Sequence, residues 1–202
     1  MQPPSPGYVP PSPSEVDSLD LSAASRFRGA VEALREPLAQ VEAAMRDQSS
    51  RSELMSLLGD HVIAAGGKRM RPALVLLTAE LCGYAGPRRI HMAASLELLH
   101  TATLLHDDVV DLSELRRGQA SANALWGNRR AVLGGDFLLS RSASMIVEDG
   151  DNEILGIFAK TLRAMSEGEL LQLERSFDPE ITEAHYYAVI ERKSAKSQEE
   201  GE

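Results

Sequence analysis

Apolar residues along most of this chain recur at the three- and four-residue spacing of a helical face, and runs of strict alternation are scarce. Long stretches rich in Ala, Leu, Glu and Arg, all good helix formers, point the same way. The spacing predicts helices over 20–47, with Pro37 as a kink or break, over 50–65 ending at Gly66-Gly67, and over 72–82. Pro72 at the start of the third and Gly83 just past its end match the favoured asymmetry of helix termini. A long helix over 88–112 follows, then others over 119–126, 129–148, 152–176 and 180–196. The predicted fold class is all-α, without the repeat of roughly 20 to 50 residues that marks a solenoid.

Both ends leave this pattern. Pro3, Pro4, Pro6, Pro10, Pro11 and Pro13, interleaved with serines, cannot sustain a backbone hydrogen-bond ladder, so 1–18 reads as a disordered, polyproline-like tail. Residues 197–202 are polar without periodicity and read as a frayed end, which leaves 19–196 as the helical domain.

Composition narrows the class. A chain of 202 residues with 43% hydrophobic and 25% charged side chains has the make-up of one soluble globular domain, and no apolar run reaches membrane-spanning length. A net charge of -9 argues against an unaided grip on nucleic acid and tolerates divalent cations. Cys82 stands alone, so there is no intramolecular disulfide and no four-thiolate zinc site. The N-terminus lacks the pattern of a secretory signal and carries Glu15, Asp17 and Asp20 early, so the cytoplasm is the expected compartment.

The chemistry concentrates in His100-Thr101-Ala102-Thr103-Leu104-Leu105-His106-Asp107-Asp108-Val109-Val110-Asp111. At 100° per residue His100, Asp107 and Asp111 fall within about 40° of arc, so one helix face collects carboxylates. Carboxylates repel one another there, and the C-terminal end of a helix adds an unfavourable dipole contribution. Oxygen ligands without thiols suit a hard cation such as Mg²⁺, which shares its shell with water and phosphate oxygens. The competing reading is a solvated helix end. Two basic clusters, Lys68-Arg69-Met70-Arg71 upstream and Arg116-Arg117-Gly118 downstream, weigh against it, because carboxylates plus separate cationic loops are what two polyphosphate groups require.

The segments GGKRMRP, HTATLLHDDVVD, RRGQASAN, LGGDFLLSRS, EGELLQL and RKSA occur in that order between about residues 50 and 195. In this the chain resembles the trans-polyprenyl diphosphate synthases, and is similar to their bacterial long-chain group, which includes octaprenyl diphosphate synthases. The resemblance implies an isoprenoid-synthase-like helical bundle that condenses isopentenyl diphosphate with an allylic diphosphate. It implies Mg²⁺ on Asp107 and Asp111, with Asp108 beside them in the catalytic set. It gives Arg116 and Lys193 to the allylic diphosphate, with Ser194 where the family usually has threonine. Lys68, Arg71, His100 and Arg117 match positions that hold the isopentenyl diphosphate. Apart from the resemblance, Lys68 and Arg71 read as a solvated loop and His100 as a core histidine. Gln172 lines the pocket or packs in the core. Gly134-Gly135-Asp136 implies close helix packing, with no chemistry on Asp136. Small residues at Ala102 and Thr103, where short-chain members carry large ones, imply a long product destined for a quinone side chain.

The resemblance also implies a second aspartate-rich helix, and the chain ends before one. The expectation is therefore an N-terminal portion of the fold, truncated before that helix and with apolar faces uncovered. A homodimer through 119–148 is expected by resemblance. The alternative is a catalytically inactive homologue that binds diphosphate or docks onto a complete one. A terpene cyclase also uses an aspartate-rich helix, but has no use for a second diphosphate loop. A helical bundle with no ligand is the remaining reading.

Overall fold

The computed structural model describes residues 25–26, 28–30, 32–46, 53–64, 67, 69–174 and 180–192, with backbone only at 54, 55 and 64. The expected proline-rich tail, the polar end, Lys68, Lys193 and Ser194 lie outside the described residues. Helices run as α1 (Arg35–Arg46), α2 (Glu53–Ala64), α3 (Met70–Leu81) and α4 (Arg88–Val110), followed by strands β1 (Leu115–Arg116) and β2 (Gln119–Ala120). Then come α5 (Ala122–Trp126), α6 (Asn128–Asp149), α7 (Asn152–Glu174) and α8 (Glu183–Ile190). The all-α class stands, and the predicted helices recur with two changes, a break at Leu34 within 20–47 and a different structure at 119–126.

Local chemistry sets those bounds. Helical residues at 25–26, 28–30 and 32–33 give way to a turn at Leu34, and α1 restarts at Arg35. Pro37 thus falls in a first turn, where its missing N–H is no loss. Gly83 closes α3 at φ 71°, with Tyr84 N–H on Ala79 O at 2.8 Å and Gly83 N–H on Glu80 O at 2.9 Å. These are the paired bonds of a Schellman cap, which satisfy carbonyls the helix itself cannot. Asp151 caps α7, its Oδ1 accepting from the N–H of Glu153 and Ile154.

One predicted element changes. A helix over 119–126 is replaced by a two-stranded hairpin and the short α5, with Leu115 paired to Ala120 and Arg116 to Gln119. The reason is backbone sign: Arg117 and Gly118 hold φ 53° and 79°, the pair of positive values a two-residue hairpin turn demands. Helical structure resumes only past Ser121, whose side chain accepts from Ala124 N–H.

The chain divides into two units, Met1–Leu138 and Leu139–Glu202, and the boundary falls within α6. In the first, α4 packs against α1, α3 and α5. Its inward face carries Ala94, Leu98, Ala102 and Leu105, which meet a core built from Val41, Met45, Leu58, Ile63, Ala73 and Leu76. Each fully buried Leu there contributes roughly 1.5–3 kcal/mol relative to exposure. In the second, α7 packs with α8, and Phe158 and Val189 are buried. No helix among the described residues is long and apolar enough to cross a membrane.

Candidate functional site

The phase of α4 sorts its three aspartates. Asp107 is half-buried and Asp111, the C-cap at φ −82°, is exposed. His100 lies two turns earlier on that side. Asp108, rotated by about 100°, turns inward with Thr101, Ala102 and Leu105 and is buried. Leu112 then stops the helix in the left-handed region at φ 52°, with Ser113 N–H on Asp108 O at 2.9 Å. For a bulky side chain this conformation costs about 1–2 kcal/mol. The strain is held from α5 and its N-cap. Asn123 Nδ2 donates to Asp108 O at 3.2 Å and Ser113 O at 2.9 Å, and Ser121 Oγ donates to Ser113 O at 2.7 Å.

The buried Asp108 carboxylate has a partner of its own. Arg116, on β1, donates Nε to both carboxylate oxygens at 2.8 Å, and its Nη2 lies 2.6 Å from Oδ1. That hydrogen bond raises the Arg116 pKa, opposed by burial and aided by the charges of Asp108, Asp107 and Asp111. Arg116 is therefore both held by the middle aspartate and near the other two.

The neighbouring Arg117 takes the opposite course. It is exposed, and its guanidinium covers Gly67, where an added Cβ would stand 2.9 Å from Nη1 and 3.3 Å from Nη2. A side chain at 67 would displace the guanidinium from this position. Gly67 and the 116–118 turn, far apart in sequence, thus meet. The charges of both basic clusters bear on His100, whose pKa is lowered from 6.5 to about 4 by burial, then by the positive charges of Arg71, Arg117 and Arg116. Neither Arg71 nor Arg117 makes an ion pair among the described residues.

On the far side of α4, His106 Nε2 lies 3.2 Å from Val132 O and 3.3 Å from Asp136 Oδ1, both acceptors, so this nitrogen carries the proton. Gly135 admits the His106 ring and Gly134 admits Leu58, so the glycine pair serves close helix packing as the sequence implied. Asp136 meets His106 and nothing nearer the aspartates is asked of it. Thr103 is half-buried, with Oγ1 donating to His100 O at 2.8 Å, whereas Ala102 is buried in the core. Gln172 is exposed on α7, in the second unit.

Sequence reasoning missed the residues that hold the loops. Arg69 donates Nε to Glu42 at 3.1 Å, Nη1 to Glu97 at 3.1 Å and Nη2 to Ile63 O at 3.0 Å. Within a basic heptapeptide it reads as one more surface charge. The available signal was Glu97, a lone carboxylate in an apolar helical stretch, which needs a cation if buried. Asn123 and Ser121 sat inside a quoted motif without a role.

Residues 52–200 match the family model described as polyprenyl synthetase. The chain belongs to that family. Octaprenyl diphosphate synthase of Escherichia coli (strain K12) is 44% identical over 160 residues, which are 79% of this chain and 50% of that protein. A decaprenyl diphosphate synthase from Rhodobacter capsulatus has the same fold at a TM-score of 0.80 and 42% identity, over 85% of this chain and 53% of that one. A polyprenyl synthase from Caulobacter crescentus CB15, solved in complex with calcium and isoprenyl diphosphate, gives a TM-score of 0.81 and 40% identity, over 85% and 52%. The chain spans about half the length of the curated relatives it matches. The fold of this chain is thus that of the isoprenoid synthases, and the motifs read from its sequence fall within the matched residues.

Proposed function

We propose that this chain binds two diphosphate esters around α4 and serves trans-prenyl transfer, joining isopentenyl diphosphate to an allylic diphosphate to give a long trans-polyprenyl diphosphate. The observation that carries the reading is the gathering of Arg71, Arg117 and Arg116 about His100, on the helix that presents Asp107 and Asp111. Arg71 and Arg117 make no ion pair among the described residues and disfavour the charged form of His100, and a diphosphate would supply the missing negative charge.

In this reading Arg71, Arg117 and His100, with Lys68, hold isopentenyl diphosphate, and Arg116, with Lys193 and Ser194, holds the allylic diphosphate. Among the described residues no cluster of three His, Cys, Asp or Glu side chains could hold a metal alone. Asp107 and Asp111 fit Mg²⁺, which takes one or two carboxylates and completes its shell with phosphate oxygens and water. Asp108 is withdrawn from that set by Arg116. Bound there, Mg²⁺ would supply positive charge to the diphosphate as it departs. Arg116 adds donors aimed at the same developing charge. The allylic C–O bond breaks with its electron pair on the diphosphate, and the isopentenyl double bond supplies the pair for the new C–C bond. The proton lost from the adjacent carbon goes to the released diphosphate.

A second reading, diphosphate binding without turnover or docking onto a complete homologue, draws on the exposed apolar side chains Leu170, Leu173, Tyr186 and Tyr187. One assay separates the two: Mg²⁺-dependent incorporation of labelled isopentenyl diphosphate into farnesyl diphosphate, with the chain alone and mixed with a complete homologue. Elongated product from the chain alone, abolished in Asp107→Ala and Asp111→Ala, is the expected result. A changed rate or product length only in the mixture supports the second reading, and silence in both overturns prenyl transfer.

A further inference from the structure

Arg69 occupies a position where an arginine has little reason to be. It precedes α3 with its backbone in the left-handed region, φ 47° and ψ 39°, yet its side chain is 12% exposed. All three guanidinium nitrogens are engaged, on Glu42 of α1, the Ile63 carbonyl near the end of α2, and Glu97 of α4. Glu97 is the deepest partner, its side chain 8% exposed against 41% for Glu42. One side chain therefore ties three helices to the start of a fourth.

Plain structural cement could sit anywhere in the core. This pair sits at the start of α3, of which Arg69 is the N-cap. Two residues before Arg69 is Gly67, under the Arg117 guanidinium; two residues after it is the exposed Arg71. Three residues after Glu97 on α4 comes His100, the group those arginines surround. If Arg69 were released, its backbone would relax out of the left-handed region, moving Gly67 away from Arg117 and shifting the start of α3, which carries Arg71.

We propose that Glu97 is a positioning residue for diphosphate binding: by holding Arg69 it fixes Gly67 against Arg117 and sets the first turn of α3, which carries Arg71, and so sets the spacing of the cations that receive the diphosphate. The inference rests on the diphosphate reading above. The two basic clusters then divide their labour in the same way. In each, one arginine is anchored on a buried α4 carboxylate, Arg69 on Glu97 and Arg116 on Asp108, and another, Arg71 or Arg117, is left exposed and without an ion pair among the described residues.

The test uses the full chain with Glu97→Ala, Glu97→Gln, Arg69→Ala and the Glu97→Ala/Arg69→Ala pair. Inorganic pyrophosphate affinity is read by calorimetry, the His100 titration by NMR and the fold by circular dichroism. Glu97→Ala is expected to weaken pyrophosphate binding at least about tenfold, as loss of an outer-shell partner does at other sites. It should also raise the His100 midpoint from about 4, because Arg71 and Arg117 are no longer held beside the ring. Glu97→Gln should fall between wild type and Glu97→Ala, and the double variant should be no worse than either single one. A folded Glu97→Ala chain with the wild-type His100 midpoint overturns the proposal, as does a double variant that loses the sum of both. If Glu97→Ala does not fold, Glu42→Ala at the exposed end of the same clamp must shift the midpoint upward by less, and no shift overturns it. Wild-type protein that binds no pyrophosphate would sink the diphosphate reading alone, since the histidine titration still reports on the clamp.

Discussion

Two helices of this protein have the same length, 23 residues, and opposite surroundings. α4 buries Ala93, Ala94, Ser95, Glu97, Leu98, Leu99, Thr101, Ala102, Leu105 and Asp108, whereas α7 buries only Phe158, Thr161 and Gly168. Both form for local reasons: good helix formers throughout, and at α7 an aspartate cap. What differs is neighbours. α4 is packed by α1, α3 and α5, so even its polar side chains must find partners inside. Two of its buried carboxylates found arginines, and each arginine brought a basic loop with it. α7 leaves Leu170 and Leu173 exposed, and its residues carry no such obligations. Helix propensity makes the rod; enclosure by neighbours turns its polar residues into a site.

Substitutions can break that contrast. The largest loss is expected for Leu98→Ala on α4, which is fully buried and should lower unfolding free energy in urea by about 2–5 kcal/mol. Asp108→Ala comes next. Stripping one partner from a buried ion pair costs about 3–5 kcal/mol, and because Arg116 is one-third exposed and can reach water, about 2–3 kcal/mol is expected here. A loss under about 1 kcal/mol would mean that the carboxylate is no anchor.

The acid response of α4 sharpens the comparison further. His100 in the folded chain has its pKa lowered from 6.5 to about 4, by burial and by Arg71, Arg117 and Arg116. Between those values the unfolded chain binds a proton that the folded chain refuses, so stability falls as pH drops from 6.5 towards 4, and the contribution is whole above 6.5. His100→Gln should flatten that limb in urea midpoints measured across the interval; an unchanged slope would place the histidine in ordinary solvent. The smallest effect belongs to α7: Leu170→Ala, at a side chain 60% exposed, should stay within about 0.5 kcal/mol. A loss as large as that of Leu98→Ala would erase the distinction between the two helices.

Much of this was legible in advance. The helix order, the Gly83 cap and the shared face of His100, Asp107 and Asp111 follow from spacing along one helix, which depends on the sequence within a few turns. The motif order named the family, because several short segments in register carry more information than any one of them. The hairpin at 115–120 was not legible, since an arginine at a positive φ is tolerated only where other bonds hold it. Nor was the split within each basic cluster. Arg69 and Arg71 are alike as sequence, and nothing local says that the first turns inward and the second does not.

The sequence by itself thus determined the rods and the inventory of charges, because helical periodicity and composition are properties of the chain alone. Tertiary structure decided which charges became anchors and which stayed open, because burial is fixed by what packs opposite. A carboxylate enclosed at Glu97 or Asp108 must be matched by a cation, and it was the match that selected Arg69 and Arg116 and left Arg71 and Arg117 beside His100.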